Sequence, residues 1–240
     1  DRLYWLNNTP ASAQNVFIQS PKSGVPGTIA LVDPHFKMPR VFRTSIGFDQ
    51  KLGNSPFTLT ADLLYTKDLQ SVYQYGANRK PATQKMYDGR DYYANAAAYQ
   101  YNSKIGGNSA SILSNTSKGY SFNFTVGVSM AQKKGFSGSL FFSHTTAQGT
   151  TDNLGSNASS AWGATPIISN PNDIFLASSI DALPSRVVGT LSYRKEYLKH
   201  LATTVTLYYN GSSSGRYSYT YGGDVNGDAI NADLLYIPKD

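Results

Sequence analysis

RVFRTSIGFDQKLGNSPFTLTADLLYTKDL, running from Arg40 to Leu69, decides the fold. From Val41 to Leu52 the chain alternates. Phe42, Ile46, Phe48 and Leu52 fall on one face, and Arg43, Ser45, Gly47, Asp49 and Lys51 on the other. This is the period of two expected for a strand whose faces meet different media. Gly53, Asn54, Ser55 and Pro56 supply turn chemistry, since Gly and Asn tolerate positive φ and Pro has no N–H for a ladder. The return arm sets Phe57, Leu59, Ala61, Leu63, Tyr65 and Leu69 against Thr58, Thr60, Asp62, Leu64, Thr66 and Asp68. Each arm runs to about eleven residues. Soluble strands cluster near five or six, whereas a tilted strand needs roughly nine to eleven to cross a bilayer.

The rest of the chain repeats this unit. Tyr120, Phe122, Phe124, Val126, Val128 and Met130 share one face, opposite Ser121, Asn123, Thr125, Gly127, Ser129 and Ala131. A short turn at Gln132-Lys133-Lys134-Gly135 leads into an arm from Phe136 to Ser143. A third hairpin has arms over Val187–Tyr197 and Leu201–Asn210, joined around Leu198, Lys199 and His200. Between the hairpins lie segments several times longer, about 71–118 and 149–184, rich in Tyr, Asn, Ser and Gly. A Ser, Gly and Tyr tail over 211–223 follows. The first 39 residues carry five prolines, with apolar groups only at Val16-Phe17-Ile18 and Thr28–Val32, and read as irregular chain with one or two short strands.

Composition agrees with an all-β chain. Of 240 residues, 13% are aromatic and only 15% charged, against roughly 25% charged in an average soluble domain. Glu196 is the only glutamate, so solvated helices have little to be built from. The net charge of +6 is scattered rather than gathered into a stripe interleaved with aromatics, which argues against nucleic-acid binding. No cysteine is present, hence no disulfide framework and no thiolate site. No run nears the roughly 18 apolar residues of a membrane helix, and the mean hydropathy is −0.35. Barrel strands escape both tests, because only every second residue faces lipid.

Enzymatic motifs fare poorly. Gly211-Ser212-Ser213-Ser214-Gly215 matches the nucleophile-elbow pattern, but no helix-forming run follows and no histidine lies beyond His200. His35, His144 and His200 lack ligand spacing, phosphate-cradling glycine loops are missing, and the chain reads as a non-enzyme. Asp224, Asn226 and Asp228, with Asp233 further on, occupy positions that suit calcium, since oxygen ligands two apart on a tight loop converge on one hard cation. Ala229 in place of the turn glycine and Leu235 in place of a bidentate Glu depart from that pattern, and a turn capped by its own side chains explains the residues equally simply. Tyr73, Tyr75, Tyr87, Tyr92, Tyr93, Tyr99 and Tyr101 crowd the first long segment. Trp162 stands in the second, and Tyr217, Tyr219 and Tyr221 in the last. Aromatic rings carrying a hydroxyl suit sugar or peptide recognition, and they suit packing of the segments on one another as well.

Short turns at one end and long loops at the other are the mark of bacterial outer-membrane barrels. Phe57, Phe136 and Tyr197 lie beside the short turns, where an aromatic girdle belongs. Three blocks carry a resemblance to a known family. Lys37-Met38-Pro39-Arg40 through Leu52, followed by Thr60–Lys67, resembles the barrel of TonB-dependent outer-membrane receptors, closest to the Oar-like type of Bacteroidetes. Leu183-Pro184-Ser185-Arg186 through Tyr193 is similar to the strand that family opens with a Pro-His-Arg type motif, with Ser185 in place of His. Asp224–Asp228 and Asn231–Pro238 resemble its late extracellular loop. The resemblance implies an antiparallel transmembrane β-barrel, residues 1–240 forming part of one barrel domain with about six strands. It implies import of a nutrient such as a glycan, peptide or chelate. The expected partners are outer-membrane lipid, the TonB complex acting through a plug outside this sequence, and a surface lipoprotein. A soluble β-sandwich adhesin or carbohydrate-binding module, and an ungated porin-like channel, are the alternatives.

Overall fold

The computed structural model describes residues 29–103, 105 and 110–238. The apolar group at Val16-Phe17-Ile18 lies outside them. Strand makes up 53% and helix 5%, so the chain is all-β, and its sheet is mostly antiparallel. In order come β1 (Ile29–Val32), β2 (Arg40–Lys51), β3 (Phe57–Gly76), β4 (Gln84–Lys85), β5 (Asp91–Tyr92), the one-turn helix α1 (Ala96–Tyr99), β6 (Ala110–Thr116), β7 (Tyr120–Lys133) and β8 (Phe136–Gly149). There follow the short helix α2 (Ala158–Gly163), β9 (Ala177–Ser178), β10 (Ser185–Leu198) and β11 (Leu201–Ser212).

The main sheet runs β2, β3, β7, β8, β10, β11, each antiparallel to the next. Its three tight turns lie at one end. Lys134 and Gly135 both have positive φ (53° and 87°), the conformation that a two-residue hairpin needs to match strand twist. A Cβ on Gly135 would stand 2.6 Å from the Arg194 carbonyl oxygen, so the neighbouring strand presses on this turn too.

Two expectations need correcting. The alternation was expected to stop after Gln70, but β3 continues to Gly76, placing Tyr73 and Tyr75 on a strand. Its far half pairs with β6, which lies inside the stretch read as loop, from Ser71 beside Thr116 to Gly76 beside Ser111. Ser, Gln and Asn on both strands hide the period there. β8 likewise extends past Ser143 to Gly149 through Thr145, Thr146 and Gln148. One pairing is parallel rather than antiparallel: β1 lies alongside β6.

Register fixes what each face carries, because paired residues point the same way. One row reads Phe48, Ala61, Val126, Phe142, Val187, Gly211 across all six strands. The next row over, on the opposite face, reads Gly47, Asp62, Thr125, Ser143, Arg186, Ser212. Cross-strand hydrogen bonds stitch that polar face together: Asn123 Nδ2 to Thr145 Oγ1 (2.6 Å), Ser139 with Thr190 (2.9 Å), Ser192 with Thr206 (2.8 Å) and Arg186 Nε to Asn210 Oδ1 (3.0 Å). Phe141 is its one large aromatic among small neighbours on β7 and β8, and its ring lies over Gly127, where a Cβ would clash at 2.1 Å.

Among the described residues nothing covers the apolar face. Ile46 is 72% exposed, Leu207 66% and Phe142 39%. The core sits elsewhere, in the long segments at the end opposite the turns, around Trp162, Ile167, Ile230 and Ala232.

Candidate functional site

Three segments, 77–103, 150–184 and 213–238, pack on one another to form a cap at the loop end of the sheet. An isolated bridge joins the second to the third, Ile167 with Asp233, and another closes the third on itself, Thr220 with Leu234. Tyr93 N–H donates to the Asn226 carbonyl, linking the first segment to the third (2.8 Å).

Each segment folds locally for a physical reason. Asn157 caps α2 through Ser160 N–H while the Ser160 hydroxyl accepts from Asn157 N–H, a reciprocal capping box. That helix carries Trp162 inward, where its indole N–H donates to the Pro171 carbonyl (3.1 Å). The ring lies against Gly76 at the end of β3. A Cβ there would meet Trp162 at 2.5 Å, so only glycine admits it.

The carboxylate turn is built in the same way. The Asp224 carboxylate accepts from the N–H groups of Gly227 (2.7 Å), Asp228 (3.1 Å) and Ala229 (2.6 Å). Asn226 Oδ1 accepts from Asp228 N–H, Asp228 Oδ1 from Ile230 N–H, and Asp233 Oδ2 from Val225 N–H. Ala229 takes a positive φ of 66° and Gly227 one of 79°, both in the left-handed region that closes tight turns. Asn226, Asp228 and Asp233 are fully buried.

The cationic partner of this turn is Arg79. Its Nη2 lies 3.0 Å from Asp228 Oδ2 and its Nη1 donates to the Asp228 carbonyl. Its guanidinium is also ringed by Tyr99 (5.1 Å), Trp162 (5.5 Å) and Tyr93 (5.8 Å). Burial pushes the Asp228 carboxyl up to about 6 against the pull of Arg79. It also raises Asp233 and Asp173, and lifts the Tyr93 phenol to about 12. A second buried pair, Arg90 to Asp88 (2.6 Å), has Tyr221 against its guanidinium. Nothing in the sequence singled out Arg79 or Arg90 beyond their charge.

The aromatic residues divide into two groups. Tyr93 and Trp162 are buried within the cap. Tyr73 and Tyr75 stack along β3, Tyr217 and Tyr219 meet edge to face, and Tyr87 does so with Tyr236. Tyr87, Tyr92, Tyr217 and Tyr219 reach the surface. Tyr73, Trp162 and Tyr217 come together on the wall of one cavity of about 230 Å³. Asp224, Asn226, Asp228 and Asp233 are also brought together, but among the described residues no group of three or more His, Cys, Asp or Glu side chains is arranged to hold a metal ion.

No protein-family model, no curated protein and no solved structure matches this chain.

Proposed function

We propose that this chain forms part of the wall and the extracellular cap of an outer-membrane β-barrel receptor of the TonB-dependent kind, which binds a nutrient at its loops for import. The observation that carries the reading is the apolar face, six strands wide and uncovered, on a protein whose core lies in its loops. Aromatic side chains hold roughly 150–250 Å² of surface each. Phe42, Ile46, Phe48, Phe57, Leu140, Phe142, Leu191, Tyr193, Val205, Leu207 and Tyr209 are each more than a third exposed on this face. Together they exceed the roughly 300–600 Å² of the largest apolar patch on a typical soluble monomer. Lipid is the solvent that suits such a face.

The dimensions support the same reading. On β3 the apolar band runs from Phe57 to Tyr65 before Lys67 interrupts it. Eight steps of about 3.4 Å, tilted by about 40°, give a height of roughly 21 Å, near the ~25 Å apolar band of outer-membrane barrels. Phe136 and Tyr193, with ring centroids 4.6 Å apart, sit at the turn end with Phe57, where an interfacial girdle falls. The polar face then lines the lumen, and the cap stands outside the cell. A β-sandwich adhesin needs a second sheet on the apolar face, and none of the described residues provides one.

The test is to fractionate cells producing the native protein and run the detergent-extracted material on a gel with and without boiling. We expect the protein in the outer-membrane fraction, migrating faster unboiled than boiled. A protein found in the soluble fraction would sink the membrane reading.

A further inference from the structure

The cavity of about 230 Å³ lies where the end of β3, the segment following β8 and the tip of the third segment meet. Tyr73, Trp162, Ile174, Phe175, Ile180 and Tyr217 supply its apolar wall. Trp162 is buried while Tyr217, Phe175 and Ile180 reach the surface, so the cavity has an inner end and an open one. Size limits what fits. An apolar cavity of about 150 Å³ accepts a benzene ring, so this one takes a single Phe- or Leu-sized side chain with a little of the chain that bears it.

Charge narrows the class. Asp152 and Asp173 lie on the wall, and no lysine, arginine or histidine does. The two carboxylates disfavour an anionic chelate, a phosphate or a free carboxylate there. Some polar groups of the wall are spent within the protein, Asn153 Oδ1 accepting from Gln74 (3.0 Å) and Asp152 Oδ1 from the Ser179 hydroxyl (2.9 Å), which leaves the second Asp152 oxygen and the Asp173 carboxylate to meet a donor.

We infer that this cavity anchors one apolar side chain of a peptide ligand, with Asp152 and Asp173 recognising the amide groups beside it. The inference rests on the cap being the receptor's ligand-binding surface. The apolar wall supplies affinity through burial, and the carboxylates select amide donors over anions.

Trp162 is the natural reporter, since Trp5 is the only other tryptophan. Full-length protein in detergent carrying Trp5→Phe is titrated with N-acetyl-L-phenylalaninamide, free phenylalanine, glucose and citrate while indole fluorescence is followed. We expect a saturable change with the capped amide and at least tenfold weaker responses to the other three. Ala177 lies on the cavity wall and is exposed, so Ala177→Phe places a ring in the cavity without burying it in a packed core. It should weaken the amide at least tenfold while heat modifiability is kept, and Asp173→Ala should weaken it several-fold. If Ala177→Phe fails to fold, Asp173→Ala and the four-probe comparison still decide. Saturation by glucose or citrate but not the amide overturns the inference, and so does an amide response indifferent to both variants. Free phenylalanine binding as well as the capped amide overturns the peptide assignment. A protein in the soluble fraction that binds the amide removes the receptor reading and leaves the site standing; a membrane-bound protein with no saturable response does the reverse.

Discussion

Arg79 and Asp228 lie 149 residues apart in the chain and meet through both side chain and backbone, buried, with Nη2 3.0 Å from Oδ2. This pair ties the first long segment to the third, and the packing of Tyr93, Tyr99 and Trp162 around the guanidinium depends on it. Replacing Arg79 with Met leaves a buried carboxylate with no cation beside it, a change that costs about 3–5 kcal/mol in comparable pairs. Asp228→Asn also leaves a buried charge without its partner, but it should cost less, because the Arg79 guanidinium keeps Tyr99, Trp162 and Tyr93 around it and the residue 228 carbonyl as acceptor, and the amide keeps an oxygen for Ile230 N–H. Hydrogen exchange on the detergent-extracted protein reads both: protection in residues 77–103 and 213–238 should fall further for Arg79→Met, while β7 and β8 stay protected. Equal losses in the two variants would show that the pair's charge is not what holds the cap.

The cap should be more stable in mild acid than at neutral pH. Asp228 is raised to about 6 in the folded protein from an ordinary value near 3.8, and Asp233 and Asp173 are raised in the same direction, all by burial. Between about pH 4 and pH 6 the folded cap therefore holds protons that unfolded loops release, and its stability falls as pH rises through that window. For Asp228 alone the effect is on the order of 2–3 kcal/mol. Limited proteolysis of the long segments at pH 5 and pH 7.5, with a protease whose activity is matched at both, should show slower cleavage at pH 5. Faster cleavage in acid would contradict the assignment.

Val126 and Thr125 are neighbours on β7 that face opposite ways at nearly one depth. Val126 stands in the middle of the apolar row between Ala61 and Phe142, whereas Thr125 stands beside Asp62 and Ser143. If the apolar row faces lipid, an arginine at 126 stands near mid-bilayer, which costs about 2–4 kcal/mol in outer-membrane barrels, whereas one at 125 stands on the opposite face next to the Asp62 carboxylate. Denaturant unfolding in lipid vesicles should show Val126→Arg lowering stability by that amount and Thr125→Arg staying within about 0.5 kcal/mol. A reversed order would put lipid on the wrong face.

The legible part of this fold is the part held by local pattern. β2 and β7 were marked by alternation to within a residue or two, and the turn at Lys134-Gly135 by its composition, since each strand contrasts its own faces. The far half of β3 was hidden because Ser71, Gln74, Asn115 and Ser114 interrupt the apolar runs of β3 and β6, pairing with Thr116, Leu113, Val72 and Tyr73, so neither strand shows a clean period of two. The cap was illegible for another reason: its order comes from contacts such as Arg79 with Asp228 and Tyr93 with Asn226, which no local window spans. The carboxylate turn was visible as a cluster, but whether its oxygens faced an ion or the backbone depended on the fold.

That last point gives a calcium experiment. Asp224 turns both carboxylate oxygens to backbone N–H groups, and Asp228 divides its two between Ile230 N–H and Arg79. Of the oxygens in this turn, Asp233 Oδ1 is buried and has no hydrogen-bond partner. A single such oxygen is far from the six to eight ligands that calcium takes. An ion entering here must displace Arg79 and several backbone hydrogen bonds. Adding millimolar calcium to chelator-treated protein should therefore leave the thermal midpoint of the cap unchanged, and the same addition to Arg79→Met should raise it if the vacated charge is then open to a cation. A rise in the unmodified protein would mean that the turn rearranges around calcium and that Arg79 is the weaker partner.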